Sequence, residues 1–294
     1  MRMTVVLVSI LIYLAAAPVV GLAFEGYDRV VSARMQNRKG PSFFQPLYDL
    51  LKLFQKQSIV VNRVQTALVV GFVIFTIFTG CIFFAGGDIL LVFFAHSLAD
   101  MFLILAAYSA NSPYSSLGAQ REFMQTMAYE PMTLLTAIGF YMTCGSFNVY
   151  DIIQQETPAI VRAPGIFLGF CFTLLIIFRK SPFDLATSHH AHQEMVKGLT
   201  QDLAGNIYGL QELGELYASV QMLSIAGLFF ICKNPLSYVV AVIAVIVIYF
   251  FVLLADNIFP RVKWEVMLSS TWIVTFVLGG GNFLILTMLN IAGK

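Results

Sequence analysis

The sequence predicts an all-α integral membrane protein with eight transmembrane helices, from its composition, its long apolar runs and the placement of its charges. Of 294 residues, 59% are hydrophobic and 11% are charged, whereas soluble domains are about a quarter charged. No polar block is long enough for a second domain, so residues 1–294 are predicted to form a single polytopic membrane domain. The net charge of +1 gives no reason to expect nucleic acid as a partner.

Eight stretches are apolar enough to be predicted as spans of the hydrocarbon core, which takes about 20 residues of helix. The fifth stretch is short. The first is interpreted as a retained helix and not as a signal peptide, because its apolar run is too long and it lacks a strongly basic flank. The predicted spans are 3–24, 64–87, 89–110, 123–144, 163–178, 211–232, 235–255 and 266–291.

Basic side chains collect on one side of this predicted topology. Eight spans place both termini on the same side, and the loops after the first, third, fifth and seventh spans share the opposite side. Those four loops and their flanks hold all of the 17 basic residues except Arg2, Arg162, Lys233 and Lys294. By the positive-inside rule, these loops are predicted to face the cytoplasm and both termini to lie outside the cell membrane.

Two of the predicted cytoplasmic segments are too long to be simple turns. They are the first loop, 25–63, and the third-to-last loop, 179–210. In the first loop, Gly40-Pro41 signals a turn, and an amphipathic helix along the membrane surface is predicted after it. This helix could serve equally as a membrane anchor or as a docking site for a partner. Its apolar face comprises Phe43, Leu47, Leu50, Leu51 and Phe54.

Acidic residues inside the predicted spans are candidates for function, because a charge in a membrane helix costs about 3 kcal/mol or more. Carboxyl groups in low-dielectric surroundings can exchange protons near neutral pH, so these residues could form a proton path. Glu212 and Glu215 share one helix face. For Asp256 and Glu212, near span ends, simple solvation is an equally good interpretation. The proton-path candidates are Asp100, Glu130, Glu212, Glu215 and Asp256.

The cysteines and histidines do not predict a metal or redox site. The four cysteines are isolated in apolar runs, whereas an iron–sulfur cluster or structural zinc needs thiolates at short spacing. The histidines of the HHAH segment, His189, His190 and His192, do not share a helix face as zinc ligands do. A polar loop that contacts a partner or senses pH is favoured. We therefore expect no catalytic residue, cofactor or metal in this chain.

Three motifs, in order along the chain, carry a family resemblance. Asp28-Arg29, the segment QNRKGP (36–41) and the segment QPLYDLLKL (45–53) resemble the first cytoplasmic loop of the NuoH-type subunit of respiratory complex I. Segments 109–112, 117–121 and 129–130 resemble the third loop and fourth helix of that family, and SPFDL (181–185) resembles its fifth loop. Eight helices with both termini outside also agree with the family.

The sequence after PFDL departs from complex I. Complex I members continue with an acidic, proline-containing stretch that helps line the quinone route, whereas this chain reads ATSHHAHQEMVKG (186–198). That version is similar to the NuoH-like subunit of energy-converting membrane-bound [NiFe] hydrogenases of the Ech, Mbh and formate hydrogenlyase types, which use no quinone. The usual leading Glu-Arg pair is Asp28-Arg29 here.

The resemblance implies a subunit that anchors a redox arm in the membrane and couples it to ion movement. The arm would contain large and small hydrogenase subunits and iron–sulfur subunits, which would hold the [NiFe] centre and the clusters and exchange electrons with ferredoxin. Antiporter-like membrane subunits would move protons or sodium. The implied interface with the arm comprises Asp28, Arg29, Arg34, Gln36, Arg38, Gly40, Pro41, Lys52, Arg121, Pro182, Phe183, Asp184, His189, His190, His192 and Glu194.

Other functions compete with this one. A quinone-chamber subunit of complex I, or the membrane scaffold of a related sulfur-reducing complex, would differ in the electron acceptor. A stand-alone ion transporter is a third hypothesis from another class. Secondary transporters usually show paired inverted repeats, and no internal repeat is found here. The two long docking-type loops also speak against a transporter.

Overall fold

The described part of the chain is helical, as a membrane-embedded backbone requires because lipid offers no hydrogen-bond partners. The computed structural model describes residues 2–57, 62–186 and 197–292, and these contain no β-strand, only an isolated bridge between Asp88 and Asn148. The helices are α1 (Arg2–Met35), α2 (Gln45–Gln55), α3 (Arg63–Phe84), α4 (Ile89–Tyr108), α5 (Pro113–Cys144), α6 (Val149–Ile153), α7 (Pro164–Ile177), α8 (Gly205–Leu228), α9 (Leu236–Ile258), α10 (Trp264–Val274) and α11 (Gly281–Ala292).

Five segments are long and apolar enough to cross a membrane: Thr4–Met35, Arg63–Phe84, Ile89–Tyr108, Leu236–Ile258 and Trp264–Ile291. The last runs through α10, the π-helical segment Thr275–Gly280 and α11. Helix α7 is apolar but has 14 residues. Helices α5 and α8 are long, at 32 and 24 residues, but carry charged residues. An integral membrane protein is consistent with these helices, and the count of eight spans stays a prediction.

Two helices extend well beyond the apolar runs that predicted them. Helix α1 continues to Met35, so Asp28, Arg29 and Arg34 lie on its last turns. Helix α5 begins at Pro113, with proline in its first turn, where the missing amide hydrogen costs nothing. Apolar runs mark the part of a helix that suits lipid, and they do not mark where the helix ends.

The predicted amphipathic helix after Gly40-Pro41 is present as α2. It packs against α8 and α1. Pro46 is buried, while Leu47, Leu51 and Phe54 stay partly exposed. The exposed apolar side chains are available to lipid or to a partner, so both interpretations of this helix remain.

The largest apolar core and the charged region occupy different ends of the same helices. In the core, the rings of Phe140 and Phe229 lie 4.5 Å apart between centroids, and Phe167 lies 5.3 Å from Phe229. On α5, Phe140 is separated from the buried Glu122 by about 27 Å of helix, at 1.5 Å per residue. The charged end is the end that the sequence places toward the cytoplasm.

Close backbone packing at Gly118 holds α5 against the short 3₁₀ turn Gly198–Thr200. Replacing Gly118 with alanine is expected to lower the free energy of unfolding by about 1–3 kcal/mol. The new Cβ would lie 2.5 Å from the Leu199 amide nitrogen and 2.6 Å from the Gly198 carbonyl carbon, and neither backbone atom can turn away. Thermal unfolding in detergent micelles measures the change.

The matched control is Gly281→Ala. A Cβ at Gly281 meets no atom within 4 Å, so this variant should unfold at or above the wild-type temperature. Equal unfolding temperatures for the two variants would contradict the packing argument at Gly118.

Candidate functional site

A cavity of about 740 Å³ lies among α1, α2, α4, α5, α8, α9 and the segment that links α7 to α8. Apolar walls from Leu22, Phe24, Phe72 and Tyr249 alternate with many charged side chains. Nine carboxylates line it: Glu25, Asp28, Asp49, Asp100, Glu122, Asp184, Glu212, Glu215 and Asp256. Six cationic side chains line it: Arg29, Lys52, Lys56, Arg179, Lys180 and Lys197.

Arg179 joins α5 to α8 through two carboxylates. It follows the end of α7 in the left-handed backbone region, with φ of 50°. Its Nε donates to Glu122 Oε1 at 3.0 Å, and its guanidinium also pairs with Glu215. Burial alone would lower the pKa of Arg179, but the charges of Glu122 and Glu215 outweigh burial and raise it. The guanidinium therefore stays protonated between them.

Lys180, the next residue, joins α1 to α9. Its Nζ pairs with Asp28 and lies 3.7 Å from Asp256 Oδ2, and Asp256 Oδ1 accepts the Ser181 amide hydrogen at 2.8 Å. Burial would lower the pKa of Lys180, but Asp28 and Asp256 outweigh it and raise the pKa. Two adjacent cations thus hold carboxylates from four helices.

Asp100 forms a third charged group, on α4. Tyr129 Oη donates to Asp100 Oδ2 at 2.6 Å, and His96 Nε2 lies 3.7 Å from the same oxygen. Three buried atoms of the cavity lining have no hydrogen-bond partner among the described residues: His96 Nδ1, Glu122 Oε2 and Gln211 Oε1. Buried polar atoms of this kind bind water or exchange protons in functional cavities.

Replacing Tyr129 with phenylalanine is expected to lower the free energy of unfolding by about 1.5–3 kcal/mol, the range for a hydrogen bond to a charged group. The change leaves Asp100 with His96 as its neighbour and removes its hydroxyl donor. Chemical unfolding in mixed micelles measures the difference. Tyr114→Phe on the same helix is the control, because the Tyr114 side chain is 53% exposed. Equal losses in both variants would contradict the proposed role of the hydroxyl.

Ion pairs also fix the mouth of the cavity. Arg29 bridges Glu25 on α1 and Asp49 on α2. Burial would raise the pKa of Asp49, but hydrogen bonds from Arg29 and Gln45 outweigh burial and lower it. These contacts hold α2 against the end of α1.

The loop after α7 is held by Arg261, whose guanidinium grips both carboxylate oxygens and the carbonyl oxygen of Asp184. Pro182 and Phe183 are buried beside it, and the Phe183 carbonyl accepts a hydrogen bond from Gln125. Such two-pronged arginine contacts fix a loop in one orientation.

Four of the five proton-path candidates line the cavity: Asp100, Glu212, Glu215 and Asp256. Glu130 does not. The carriage of protons by these residues stays a prediction. Among residues 2–57, 62–186 and 197–292, no three His, Cys, Asp or Glu side chains come together as metal ligands.

The predicted interface residues separate into three sets. Arg34, Gln36, Arg38, Pro41 and Lys52 are exposed. The buried or half-buried set comprises Asp28, Arg29, Gly40, Arg121, Pro182, Phe183 and Asp184. His189, His190, His192 and Glu194 lie outside the described residues. Contact with a redox arm stays a prediction for all three sets.

Sequence reasoning missed several cavity residues, above all Glu122 and the two cations Arg179 and Lys180. Glu122 fell one residue outside the predicted span 123–144. Helical spacing carried the signal, because Glu122, Gln125 and Tyr129 recur at intervals of three and four and are all buried. Nothing local predicted that Arg179 and Lys180 turn inward and do not lie on the surface.

Comparison with known proteins agrees with the resemblance. The chain is 28% identical to formate hydrogenlyase subunit 4 of Escherichia coli, over 90% of this chain and 93% of that protein. It is 30% identical to the H-type subunit of the NADH-quinone oxidoreductase of Methylococcus capsulatus, over 80% and 84%. A chain in the structure of the membrane-bound sulfane sulfur reductase, an archaeal respiratory membrane complex, matches with a TM-score of 0.83 at 25% identity, covering 96% of this chain and 99% of that chain. A family model described as NADH dehydrogenase matches residues 7–287, and the chain therefore belongs to the NADH dehydrogenase family, of which the NuoH-type subunits are members.

Proposed function

We propose that this chain is the membrane-anchoring and coupling subunit of an ion-translocating, ferredoxin-linked, membrane-bound [NiFe] hydrogenase complex. One observation carries the proposal. Adjacent cations, Arg179 and Lys180, hold carboxylates from four helices in a cavity directly behind the loops that are predicted to dock a redox arm. Similarity to formate hydrogenlyase subunit 4 across 93% of that protein supports the choice of hydrogenase.

In this proposal, the electron chemistry takes place in partner subunits and the chain supplies the response in the membrane. The partners are large and small hydrogenase subunits with the [NiFe] centre, iron–sulfur subunits, and antiporter-like membrane subunits. Electron transfer at the arm shifts the loop that begins at Arg179. A shift of Arg179 or Lys180 changes the charge beside Glu122, Glu215, Asp28 and Asp256, and hence the proton affinity of these carboxyl groups.

A second candidate is the same scaffold in a sulfur-reducing complex, or the quinone-chamber subunit of a complex I. The match to a chain of the sulfane sulfur reductase favours the first of these, and the relatives from NADH-quinone oxidoreductases favour the other. The cavity geometry serves all three, because each needs an arm docked above carboxylates in the membrane.

Purification of the intact complex in mild detergent, through a tag on this chain, tests the proposal. We expect a co-purifying large subunit with paired CxxC nickel-ligand motifs, and hydrogen evolution driven by reduced ferredoxin. Reduction of polysulfide or of a quinone without hydrogen evolution would replace the hydrogenase with the matching alternative. Purification without any iron–sulfur subunit would favour a stand-alone transporter.

A further inference from the structure

One carboxylate, Glu130, lies on the outer face of α5 and not in the cavity. It shares that face with Phe123, Met127 and Tyr141, as their spacing in multiples of about 3.6 residues requires. Phe123, Met127 and Tyr141 are 38%, 40% and 43% exposed, and Glu130 is half-buried. The carboxylate therefore belongs to an apolar surface of the molecule.

Glu130 has no partner among the described residues. No hydrogen bond or ion pair reaches its side chain there, whereas Glu122, two turns earlier on α5, pairs with Arg179. A carboxylate that faces lipid from a membrane helix is strongly unfavourable, and such residues normally pair or face protein. The surface around Glu130 is therefore poorly suited to lipid.

A second acceptor lies one turn from Glu130. Pro131 has no amide hydrogen, so the carbonyl of Met127 loses its usual helical donor. The face thus offers a carboxylate and a backbone carbonyl, both acceptors, among apolar side chains. The outer face of α9 is different, because Val239, Val242 and Ile246 are exposed there without any charged residue. Helix α9 has the surface expected against lipid.

We propose that the α5 face, made of Phe123, Met127, Glu130 and Tyr141, binds a transmembrane helix of a different membrane subunit, which presents a cationic or hydrogen-bond-donating side chain to Glu130. Charge complementarity identifies this occupant, because a donor satisfies both acceptors while the apolar side chains pack against the rest of the helix. The inference relies on the proposed function only in requiring other membrane subunits in the complex. It holds for a hydrogenase, a sulfur reductase or a complex I.

Photo-crosslinking in native membranes tests the surface directly. A photoreactive amino acid replaces Met127 in the intact complex, and the matched control replaces Val242, which is 61% exposed on α9. We expect position 127 to capture a transmembrane peptide of another subunit with a Lys, Arg, His, Asn or Gln in the captured span, identified by mass spectrometry. Crosslinks from position 127 to lipid alone, or to a second copy of this chain, would overturn the proposal.

Substitution of the carboxylate gives an independent result. Glu130→Leu should reduce the retention of the neighbouring subunit in mild detergent about tenfold, Glu130→Gln should reduce it less, and Met127→Leu should leave it unchanged. Full retention in Glu130→Leu would overturn the proposal, because leucine is the better residue against lipid. These measurements need no hydrogen evolution, so a failure here is separate from a failure of the proposed function. If Glu130→Leu does not fold, the crosslink in the otherwise unchanged chain still decides.

Discussion

Replacing Arg179 with methionine is expected to destabilise the protein by about 3–5 kcal/mol, the cost of removing one partner from a buried ion pair. The substitution leaves Glu122 and Glu215 facing each other across the gap between α5 and α8. The Glu215 side chain is 35% exposed, so water offsets part of its share and the loss should fall toward the lower end. Unfolding in mixed micelles, followed by size-exclusion chromatography, measures it.

A double variant separates the charge from the packing at this position. Arg179→Met with Glu122→Gln removes the orphaned carboxylate together with its cation, so it should recover a large part of the lost stability. Arg179→Lys is expected to lie between the single variant and the wild type, because one ammonium cannot present the forked donors that reach both carboxylates. Wild-type stability in the Arg179→Met variant would contradict the bridge between α5 and α8.

Replacing Glu215 with glutamine is expected to uncouple the complex, leaving hydrogen evolution intact while ion translocation falls about a hundredfold, the lower end for a positioned proton-transfer group. Glutamine keeps the shape of glutamate and can still accept hydrogen bonds from Arg179, but it cannot exchange a proton. Hydrogen evolution and ion uptake are measured together in sealed vesicles that contain the whole complex.

The control for this variant is Glu265→Gln, which removes an exposed carboxylate from the first turn of α10. It should change neither activity. The unfolding temperature of Glu215→Gln should stay close to the wild-type value, which distinguishes lost proton exchange from lost structure. Full translocation with intact hydrogen evolution would remove Glu215 from the ion path.

Helix boundaries could be predicted where a local signal marks them. Helix α3 begins at Arg63, next to Asn62, whose side chain accepts the Val64 amide hydrogen. The extension of α1 to Met35 was missed, because its last turns rest on side-chain pairs four residues apart. Glu25 with Arg29 and Asp28 with Ser32 stabilise polar turns that an apolar run cannot reveal.

The cavity could be predicted only in part. Asp100, Glu215 and Asp256 stood out because a carboxylate inside an apolar run is rare. Their cationic partners did not, since Arg179 reaches Glu122 from 57 residues along the chain. That pairing depends on the left-handed turn at Arg179, and the sequence around it reads as an ordinary basic end of a span.

Arg179 and Lys180 are also consecutive, and one planar peptide unit connects them. Arg179 is anchored to α5 and α8, and Lys180 is anchored to α1 and α9. The pair therefore acts as a single mechanical joint between two halves of the helix bundle. Any displacement that pulls this turn away from one half loads the contacts to the other, so the carboxylates on both sides respond in concert and not one group at a time.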